Sequence, residues 1–371
     1  MSKKVKKENA QSLINIILVI FIVVCVIAIL HLLKDNDIQN VADTNNQEYN
    51  VVTIEDGKID RPSVANLTNS INTTQADNIV KLNITTNSSE TYEVDKYYYK
   101  QLNSYSKSMY TTIVKNISTL KSGYGTIKFD LTEPGIENNF QTAWDAMCMD
   151  MPEIFYLNTR NVTLQTLTTS NLLGNTKYQY SLITQEGKSY LLDTWNNGTE
   201  VQNAIDNVES IANSIVSSAT GTTYNKVKYV HDYIINNVSY NQTENTNNSN
   251  IYGALINKRA VCEGYADTLK YLLDKLNIPC VAIYGNGIGD NGETEFHAWN
   301  YVMMDDGKWY AIDATWDDPI IIGNGTLSEE TKHKYFLKGS NEFFSTHKED
   351  HDVSGTGQNF QYPELSTNNY N

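Results

Sequence analysis

The longest apolar run of the chain lies close to its N-terminus. Residues 13–33 read LINIILVIFIVVCVIAILHLL, in which only Asn15 and His31 are polar. A helix needs about 20 consecutive apolar residues to cross the hydrocarbon core of a bilayer. A cleaved signal peptide has a shorter apolar region, of about 7–15 residues, followed by a small-residue cleavage site. No such site follows Leu33, so the run predicts a transmembrane anchor.

The charges on either side of this run predict its orientation. Lysines precede it at positions 3, 4, 6 and 7, whereas the lysine at position 34 and the aspartates at 35 and 37 nearly cancel. The more positive flank of a membrane helix stays in the cytoplasm. We therefore expect residues 1–34 to be a cytoplasmic tip and anchor, with the remainder of the chain outside the cytoplasm.

Residues 35–92 show no sustained periodicity. The segment is rich in Asn, Thr and Ser, with single scattered aliphatic residues. Such a composition buries too little apolar surface to offset the entropy lost on folding. We therefore expect a disordered stalk between the anchor and the folded part of the chain.

Periodic patterns resume near Tyr97. Apolar residues at three- and four-residue steps predict helices over 102–120, 140–151, 201–215 and 224–238. Strands are predicted over 154–157, 177–184 and 189–192. We expect an accessory α+β region over 93–200, a second domain over 201–346, and a polar tail over 347–371, with the chain fraying after Phe344.

A predicted helix that begins at Cys262 carries the most informative chemistry. Tyr265, Leu269 and Leu272 lie on one apolar stripe, and three residues before Tyr265 the same buried face reaches Cys262. The N-terminus of a helix carries partial positive charge and N–H groups that lack helical partners, and both stabilise a thiolate. Cys262 is therefore a candidate nucleophile.

The cysteine count supports a free thiol. Because Cys25 lies in the apolar run, Cys148, Cys262 and Cys280 remain, and three thiols cannot all pair within one chain. Cys280 follows Pro279 in a short apolar run that predicts a strand, where a cysteine is typically a packed residue. No Cys/His cluster at zinc spacing and no calcium-loop pattern stands out, so we predict an enzyme without a metal ion or cofactor.

A thiol nucleophile needs a base, and the base needs a group that orients it. His297 lies in a predicted strand, EFHAWNYVM, and Asp313 ends the next one, KWYAID. If the two strands are joined by a three-residue loop, His297 and Asp313 lie on the same face as diagonal neighbours, with backbones ~7–8 Å apart. A two-residue loop would turn Asp313 to the opposite face and make Asn300 the next candidate.

The sequence between these strands favours the three-residue loop. Met304 would then pair with Lys308, and Asp305, Asp306 and Gly307 would form the loop. Three-residue hairpin loops commonly have a glycine in the left-handed conformation, and Gly307 is in place for it.

Three other polar residues near these segments have simpler explanations. His231 lies on a predicted helix beside an aspartate and could approach the site, but such a residue is more typically packed and hydrogen bonded. Asp317 and Asp318 could bind a cation, although a turn before Pro319 accounts for both.

Charge excludes one class of partner. The net charge is −15 and the isoelectric point is near 4.8. Nucleic-acid binding requires clustered Lys and Arg that neutralise phosphates, and such a cluster occurs only within the first seven residues. We therefore predict no nucleic-acid partner.

Taken together, these segments resemble the transglutaminase-like branch of the papain-type cysteine enzymes, in particular its bacterial members. The matching residues lie within about 224–319 and read YVHDYIINNVSY, IYGALINKRA, VCEGYA, NIPCVAIYG, FHAWN and WYAIDATWDDP. The resemblance implies an α+β fold in which a helix bearing the Cys packs on an antiparallel sheet bearing the His and Asp. It also implies that Cys262 is the nucleophile, His297 the general base and acid, and Asp313 the orienting residue.

The reaction implied by the resemblance is attack of the Cys262 thiolate on an amide carbonyl of a protein or peptide, giving a thioester. Water would resolve the thioester in a peptidase or amidase, and an amine would resolve it in a transamidase; both stay open. Placement outside the membrane suggests cell-envelope substrates. The alternative is a non-catalytic envelope module that keeps the fold for binding, although such a module would be expected to lack a triad residue.

Overall fold

The computed structural model describes residues 51–53, 58–59, 96–170, 176–242, 247–289, 292–322, 327–352 and 359–371. The predicted anchor at 13–33 lies outside these ranges. Within them, no helix combines the length and the apolar character that crossing a membrane requires. Two short strands, β1 (Val51–Thr53) and β2 (Lys58–Ile59), fall in the segment predicted to be a stalk. The rest of that segment is not described, so the stalk stays a prediction.

Four helices open the next region. They are α1 (Tyr97–Gln101), α2 (Ser104–Lys115), α3 (Ile117–Ser122) and α4 (Asn139–Asp150). The N–H groups of Tyr98 and Tyr99 donate to the carboxylate of Asp150 over 3.0 and 2.8 Å. Burial raises the pKa of Asp150 to about 6, although these N–H groups and Lys270 oppose the shift. The carboxylate thus ties the first turn of α1 to the last turn of α4.

A three-stranded antiparallel sheet accompanies these helices. Its strands are β3 (Ile127–Phe129), β4 (Val162–Ser170) and β5 (Thr176–Thr184), in the order β3-β5-β4. The strand predicted over 177–184 is confirmed. The strand predicted over 154–157 is wrong, because a 3-10 turn (Pro152–Ile154) occupies its start and only Leu157 forms a bridge, to Leu191.

The segment predicted as a second domain begins with two helices, both of which the apolar pattern predicted. These are α5 (Gly198–Ser218) and α6 (Thr223–Asn237). The side chain of Asn197 accepts hydrogen bonds from two N–H groups at the start of α5, and Thr222 does the same for one N–H group of α6. These side chains satisfy donors that a helix leaves without partners, and so they set where each helix begins.

The remaining elements form the part of the molecule that carries the candidate site. In chain order they are β6 (Ser239–Tyr240), β7 (Arg259–Ala260), α7 (Cys262–Lys275), β8 (Cys280–Ile288), β9 (Thr294–Met303), β10 (Trp309–Ile312), β11 (Ile320–Ile322), α8 (Glu329–Lys332), α9 (Ser340–Phe343) and β12 (His347–Glu349). Strands β10-β9-β8-β12 form an antiparallel sheet, and α7 packs against β8 and β9. The predicted α+β class is confirmed.

The expectation that the chain frays after Phe344 is wrong for the residues described there. Strand β12 pairs with β8, placing His347 opposite Gly287. Phe360 and Leu365 are also buried. Single apolar residues are enough to hold this polar segment in place, because each one is buried in the core that other elements line.

The segment predicted as an accessory region shares its core with the segment predicted as a second domain. Tyr98 is fully buried, and its hydroxyl donates to the carbonyl of Ala282 in β8. Its ring also meets Phe360 edge-on at 5.2 Å between centroids. Helix α1 therefore supports the central sheet directly.

Candidate active site

Helix α7 presents Cys262 at its first residue. The preceding residue, Val261, is extended (φ −99°, ψ 179°) and its side chain does not cap the helix. The partial positive charge of the helix N-terminus therefore acts at the thiol. Cys262 is fully buried, as the stripe pattern predicted. A Cβ on the nearby Gly264 would lie 2.6 Å from the carbonyl oxygen of Asn248, so glycine permits that close approach.

The hairpin between β9 and β10 has the predicted register. The N–H of Met304 donates to the carbonyl of Lys308 over 3.0 Å, and Gly307 has a φ of +75°. Residues 305–307 form the loop, and Ile312 lies opposite Asn300. Asp313 follows Ile312, so the odd loop places it on the same face as His297, two positions along.

His297 and Asp313 meet in a buried hydrogen bond. The Nε2 atom of His297 lies 2.7 Å from Oδ2 of Asp313, and both side chains have no exposed surface. The other carboxylate oxygen accepts from the N–H groups of Thr315 and Trp316 over 3.0 and 3.1 Å. Burial alone would raise the pKa of Asp313, but the charge and hydrogen bond of His297 outweigh burial and hold that pKa below its usual range.

The same contacts keep His297 protonated. Burial alone would lower its pKa, but the charge and hydrogen bond of Asp313, together with Cys262, raise the pKa to about 10. The second ring nitrogen, Nδ1, is buried and makes no hydrogen bond of normal geometry among the described residues. Cys262 is nonetheless close enough to contribute to the pKa of His297. The hydrogen bond between a catalytic base and its nucleophile is commonly long or poorly aligned until substrate binds.

A second histidine, which the sequence analysis missed, contacts the same carboxylate. Nε2 of His347 in β12 lies 3.1 Å from Oδ2 of Asp313. Its ring stacks on Phe343 at 3.9 Å between centroids, and its Nδ1 lies 3.0 Å from the hydroxyl of Thr346. Asp313 is thus held between two imidazoles. No local signal marks His347, because it lies in a polar stretch and reaches the site only through pairing with β8.

His297, Asp313 and His347 could in principle hold a metal ion, since their ligand atoms converge. The hydrogen bonds indicate otherwise. Both Nε2 atoms face the same carboxylate oxygen, which can only accept when ionised, so each Nε2 carries a proton. All three side chains have no exposed surface, so an ion would have to displace both protons inside a closed site.

Trp316 forms one wall of the site. Its ring stacks on His297 at 5.0 Å between centroids with an interplanar angle of 24°. A Cβ on Gly287 would lie 2.6 Å from the edge of the Trp316 ring. Strand β8 therefore needs glycine at this position to admit the indole.

The described part of the chain contains two thiols besides that of Cys262. All three are free, which confirms the prediction of at least one unpaired thiol. Burial raises the pKa of Cys148 and of Cys280 well above its ordinary value. These two thiols are therefore poor nucleophiles, and Cys280 is a packed residue as predicted.

The other polar candidates have separate partners. Asn300 donates to the carbonyl of Ala266 over 2.9 Å and thereby joins β9 to α7, so it does not orient His297. Asp318 accepts from the hydroxyl of Tyr265 over 2.6 Å, whereas Asp317 contacts His231. Asp317 and Asp318 therefore do not act as a pair.

Comparison with known proteins assigns the family of the domain. The model of the Transglutaminase-like superfamily, Transglut_core, matches residues 209–314. The chain contains a transglutaminase-like domain. The matched residues include Cys262, His297 and Asp313, and the resemblance read from the sequence motifs is confirmed.

Several solved structures are similar to this chain at low identity. One, described as a TGase, is 19% identical over 48% of this chain and 50% of its own, with a TM-score of 0.27. A putative cysteine protease from Cytophaga hutchinsonii is 18% identical over 42% of this chain and 64% of its own, with a TM-score of 0.26. The periplasmic domain of TgpA from Pseudomonas aeruginosa is 12% identical over 42% and 63%, with a TM-score of 0.24.

The chain thus spans between half and two thirds of each of these structures. None of the curated proteins matches it significantly.

Proposed function

We propose that this protein is an extracytoplasmic thiol enzyme that cleaves or exchanges amide bonds of proteins or peptides through Cys262, His297 and Asp313. The observation that carries the proposal is the fully buried His297–Asp313 hydrogen bond of 2.7 Å beside a thiol at a helix N-terminus. A buried imidazole with a pKa near 10 is protonated at neutral pH, and an imidazolium beside a thiol favours the thiolate.

The first half-reaction forms a thioester. The Cys262 thiolate attacks the amide carbonyl carbon, and a C–S bond forms as the carbonyl oxygen takes the negative charge. Nδ1 of His297 then gives its proton to the amide nitrogen, the C–N bond breaks, and an amine or ammonia leaves. Asp313 keeps the imidazole in the required orientation throughout, as the aspartate of a catalytic triad does.

The second half-reaction releases the acyl group. His297 removes a proton from the incoming water or amine, whose oxygen or nitrogen attacks the thioester carbon. The C–S bond breaks and the Cys262 thiolate is restored beside the imidazolium. Water gives a carboxylic acid, and an amine gives a new amide.

Access to the thiol requires movement. Cys262, His297 and Asp313 all have no exposed surface, so a substrate carbonyl reaches the sulfur only when neighbouring side chains shift. Trp316, stacked on His297, is one of the groups that covers the site.

Hydroxylamine provides a test that covers both fates of the thioester. It resolves an acyl-thioester as a hydroxamate whether the natural acceptor is water or an amine. The full chain is incubated with a mixed library of glutamine-containing and amidated peptides, and hydroxamate and ammonia are measured. We expect hydroxamate from wild type, accompanied by ammonia where the attacked amide is primary, and neither product from Cys262→Ala; Cys280→Ala is the matched control that keeps activity.

Labelling with iodoacetamide provides a readout that does not depend on the choice of substrate. Wild type and Cys280→Ala should be alkylated at Cys262, whereas Cys262→Ala should lose that label. A label that persists in Cys262→Ala, or a wild-type protein without labelling and without hydroxamate, would refute the proposal and favour the non-catalytic binding module.

Placement outside the cytoplasm has its own test. The apolar run at 13–33 and its lysine-rich flank support this placement. Protease added to intact cells should remove the domain. If the domain is cut only after lysis, the proposed topology is wrong, whatever the outcome of the activity assays.

A further inference from the structure

A second group of histidine and aspartate side chains lies beside the site, and the proposed mechanism does not use it. His231 and Asp232 are neighbours in α6, and His333 follows the last residue of α8. We call these three residues the α6–α8 cluster. The helical position of His231 predicts a packed residue, and no prediction from the sequence concerns His333.

The potential ligand atoms of the cluster converge. Oδ1 of Asp232 lies 3.1 Å from Nδ1 of His231 and 2.7 Å from Nε2 of His333. All three atoms lie within 4.8 Å of one another. The side chain of His231 is fully buried, while those of His333 and Asp232 are 15% and 30% exposed. The cluster is therefore closed on the protein side and open to solvent on the other.

The outer nitrogens of both histidines already have acceptors. Nε2 of His231 lies 3.1 Å from Oδ2 of Asp317, and Nδ1 of His333 lies 2.7 Å from the carbonyl oxygen of Glu329. A proton on each outer nitrogen satisfies both contacts. The inner nitrogens, Nδ1 of His231 and Nε2 of His333, then become available to a metal ion once it displaces any proton that they share with Asp232. A carboxylate or carbonyl that fixes the tautomer in this way is the usual surrounding of a metal-bound histidine.

Without a cation, the two contacts of Nε2 of His333 conflict. A proton on this nitrogen suits the Asp232 carboxylate oxygen at 2.7 Å, whereas a lone pair suits the Lys228 ammonium at 3.0 Å. A proton on Nδ1 of His231 lies between that nitrogen and Oδ1 of Asp232, 3.1 Å away, and a bound cation would displace it. A divalent cation at the point of convergence satisfies all three acceptors at once.

We propose that the α6–α8 cluster binds Zn²⁺, with Nδ1 of His231, Oδ1 of Asp232 and Nε2 of His333 as ligands and water in the fourth position. Two imidazoles and one carboxylate suit Zn²⁺, whereas Ca²⁺ and Mg²⁺ prefer oxygen ligands throughout. Zinc bonds of ~2.0–2.1 Å place tetrahedral ligand atoms roughly 3.3 Å apart. The observed separations of 2.7 and 3.1 Å need only a small outward movement of the exposed side chains.

Lys228 competes with the metal. Its ammonium contacts Oδ2 of Asp232 at 2.5 Å and lies near His333. It would have to withdraw from His333 on metal binding, and the carboxylate of Glu329 at 4.0 Å offers it another partner. Removal of this positive charge should therefore strengthen metal binding, which is not expected of a cluster that is only a network of ion pairs.

The cluster is joined to the catalytic turn through Asp317. Oδ1 of Asp317 accepts from the N–H of Tyr335 over 2.8 Å, and its own N–H donates to the carbonyl of Asp313 over 3.1 Å. A bound ion would thus tie α6, α8 and the turn after β10 together. We expect it to stabilise the fold around Asp313 without taking part in the chemistry.

The test uses the full chain carrying Cys262→Ala, so that no metal bound by the candidate nucleophile is counted. After removal of metal with a chelator, Zn²⁺ binding is followed by calorimetry and thermal unfolding, and Co²⁺ by its visible absorption. We expect one ion per chain, a higher melting temperature with Zn²⁺, and the intense bands of tetrahedral Co²⁺. None of these readouts depends on activity, so failure here and failure of the proposed function are distinguishable.

Variants separate a metal site from an ion-pair network. His333→Ala should abolish stoichiometric binding, and Asp317→Asn, which removes the charge of the group that holds the outer nitrogen of His231, should weaken it by about 10–100-fold. Lys228→Met should tighten it, and His351→Ala, which changes a histidine outside the cluster, should leave it unchanged. The proposal is overturned if neither the parent nor Lys228→Met binds one ion, or if His333→Ala binds as well as the parent.

Discussion

Replacement of Asp313 by Asn tests the centre of the proposed mechanism. The substitution keeps the shape of the side chain and removes one negative charge. The Asn oxygen can still accept from the N–H groups of Thr315 and Trp316, as Oδ1 of Asp313 does. The NH₂ group then faces Nε2 of His297, where a donor now meets a donor. The imidazole must lose that proton or turn away.

The size of the effect follows from the pKa of His297. Asp313 is the main group that raises this pKa to about 10, compared with ~6.5 for an ordinary histidine. A difference of about 3.5 pKa units corresponds to roughly 5 kcal/mol that favours the imidazolium. Cys262 contributes part of this, so we expect Asp313→Asn to lower the rate of hydroxamate formation by about 10²–10⁴-fold at pH 7.

The assay compares Asp313→Asn with Asp318→Asn. The control makes the same chemical change in the same turn, but Asp318 contacts the hydroxyl of Tyr265 instead of His297. Alkylation of Cys262 should slow in Asp313→Asn and not in Asp318→Asn, while both proteins keep similar circular dichroism. If Asp313→Asn retains activity within about threefold of wild type, Asp313 does not orient the base and the triad assignment is wrong.

Three further predictions follow from contacts of the same sheet. His347→Phe should keep the stacking on Phe343 but lose the bond to Asp313, so we expect a rate about 10-fold lower with little change in melting temperature; an unchanged rate would show that His347 only fills space. Because the folded pKa of His297 is raised to about 10, its stabilising contribution is complete below the unfolded pKa of ~6.5 and is lost as pH rises through 10. The melting temperature should therefore fall more steeply between pH 7 and 10 in wild type than in His297→Phe, and parallel curves would contradict the assignment. Gly307→Ala should destabilise the fold by ~1 kcal/mol, a fall of about 2–4 °C, because φ is +75° and nothing lies within 4 Å of the added Cβ. Activity should persist in Gly307→Ala, and an unchanged melting temperature would contradict the strained loop.

Local physical rules were sufficient for the pair at the centre of the site. The face on which Asp313 lies depends only on alternation along two strands and on whether the loop between them is odd. Gly307 favours the three-residue loop, because that loop needs a residue in the left-handed conformation and glycine adopts it with the least steric strain. The start of α7 at Cys262 was equally local, since the apolar stripe of the helix fixes which side of its first turn is buried.

The same rules failed for segments whose own sequence pattern is weak or ambiguous. Strand β4 has the Thr-rich sequence VTLQTLTTS, whose alternation is faint, and it was not predicted. The run at 154–157 is apolar enough to suggest a strand, but Pro152 begins a 3-10 turn before it. In both cases the partners of the segment, and not its own pattern, decided its conformation.

By itself, the sequence determined the elements that bear Cys262, His297 and Asp313 and the register that joins the last two. Only the tertiary structure decided what else reaches them. His347 approaches Asp313 from a strand 34 residues further along the chain, and His333 approaches Asp232 from 101 residues away. Periodicity and turn chemistry act over a few residues, whereas these approaches depend on which distant surfaces the folded core brings together. No pattern within a polar segment records that choice.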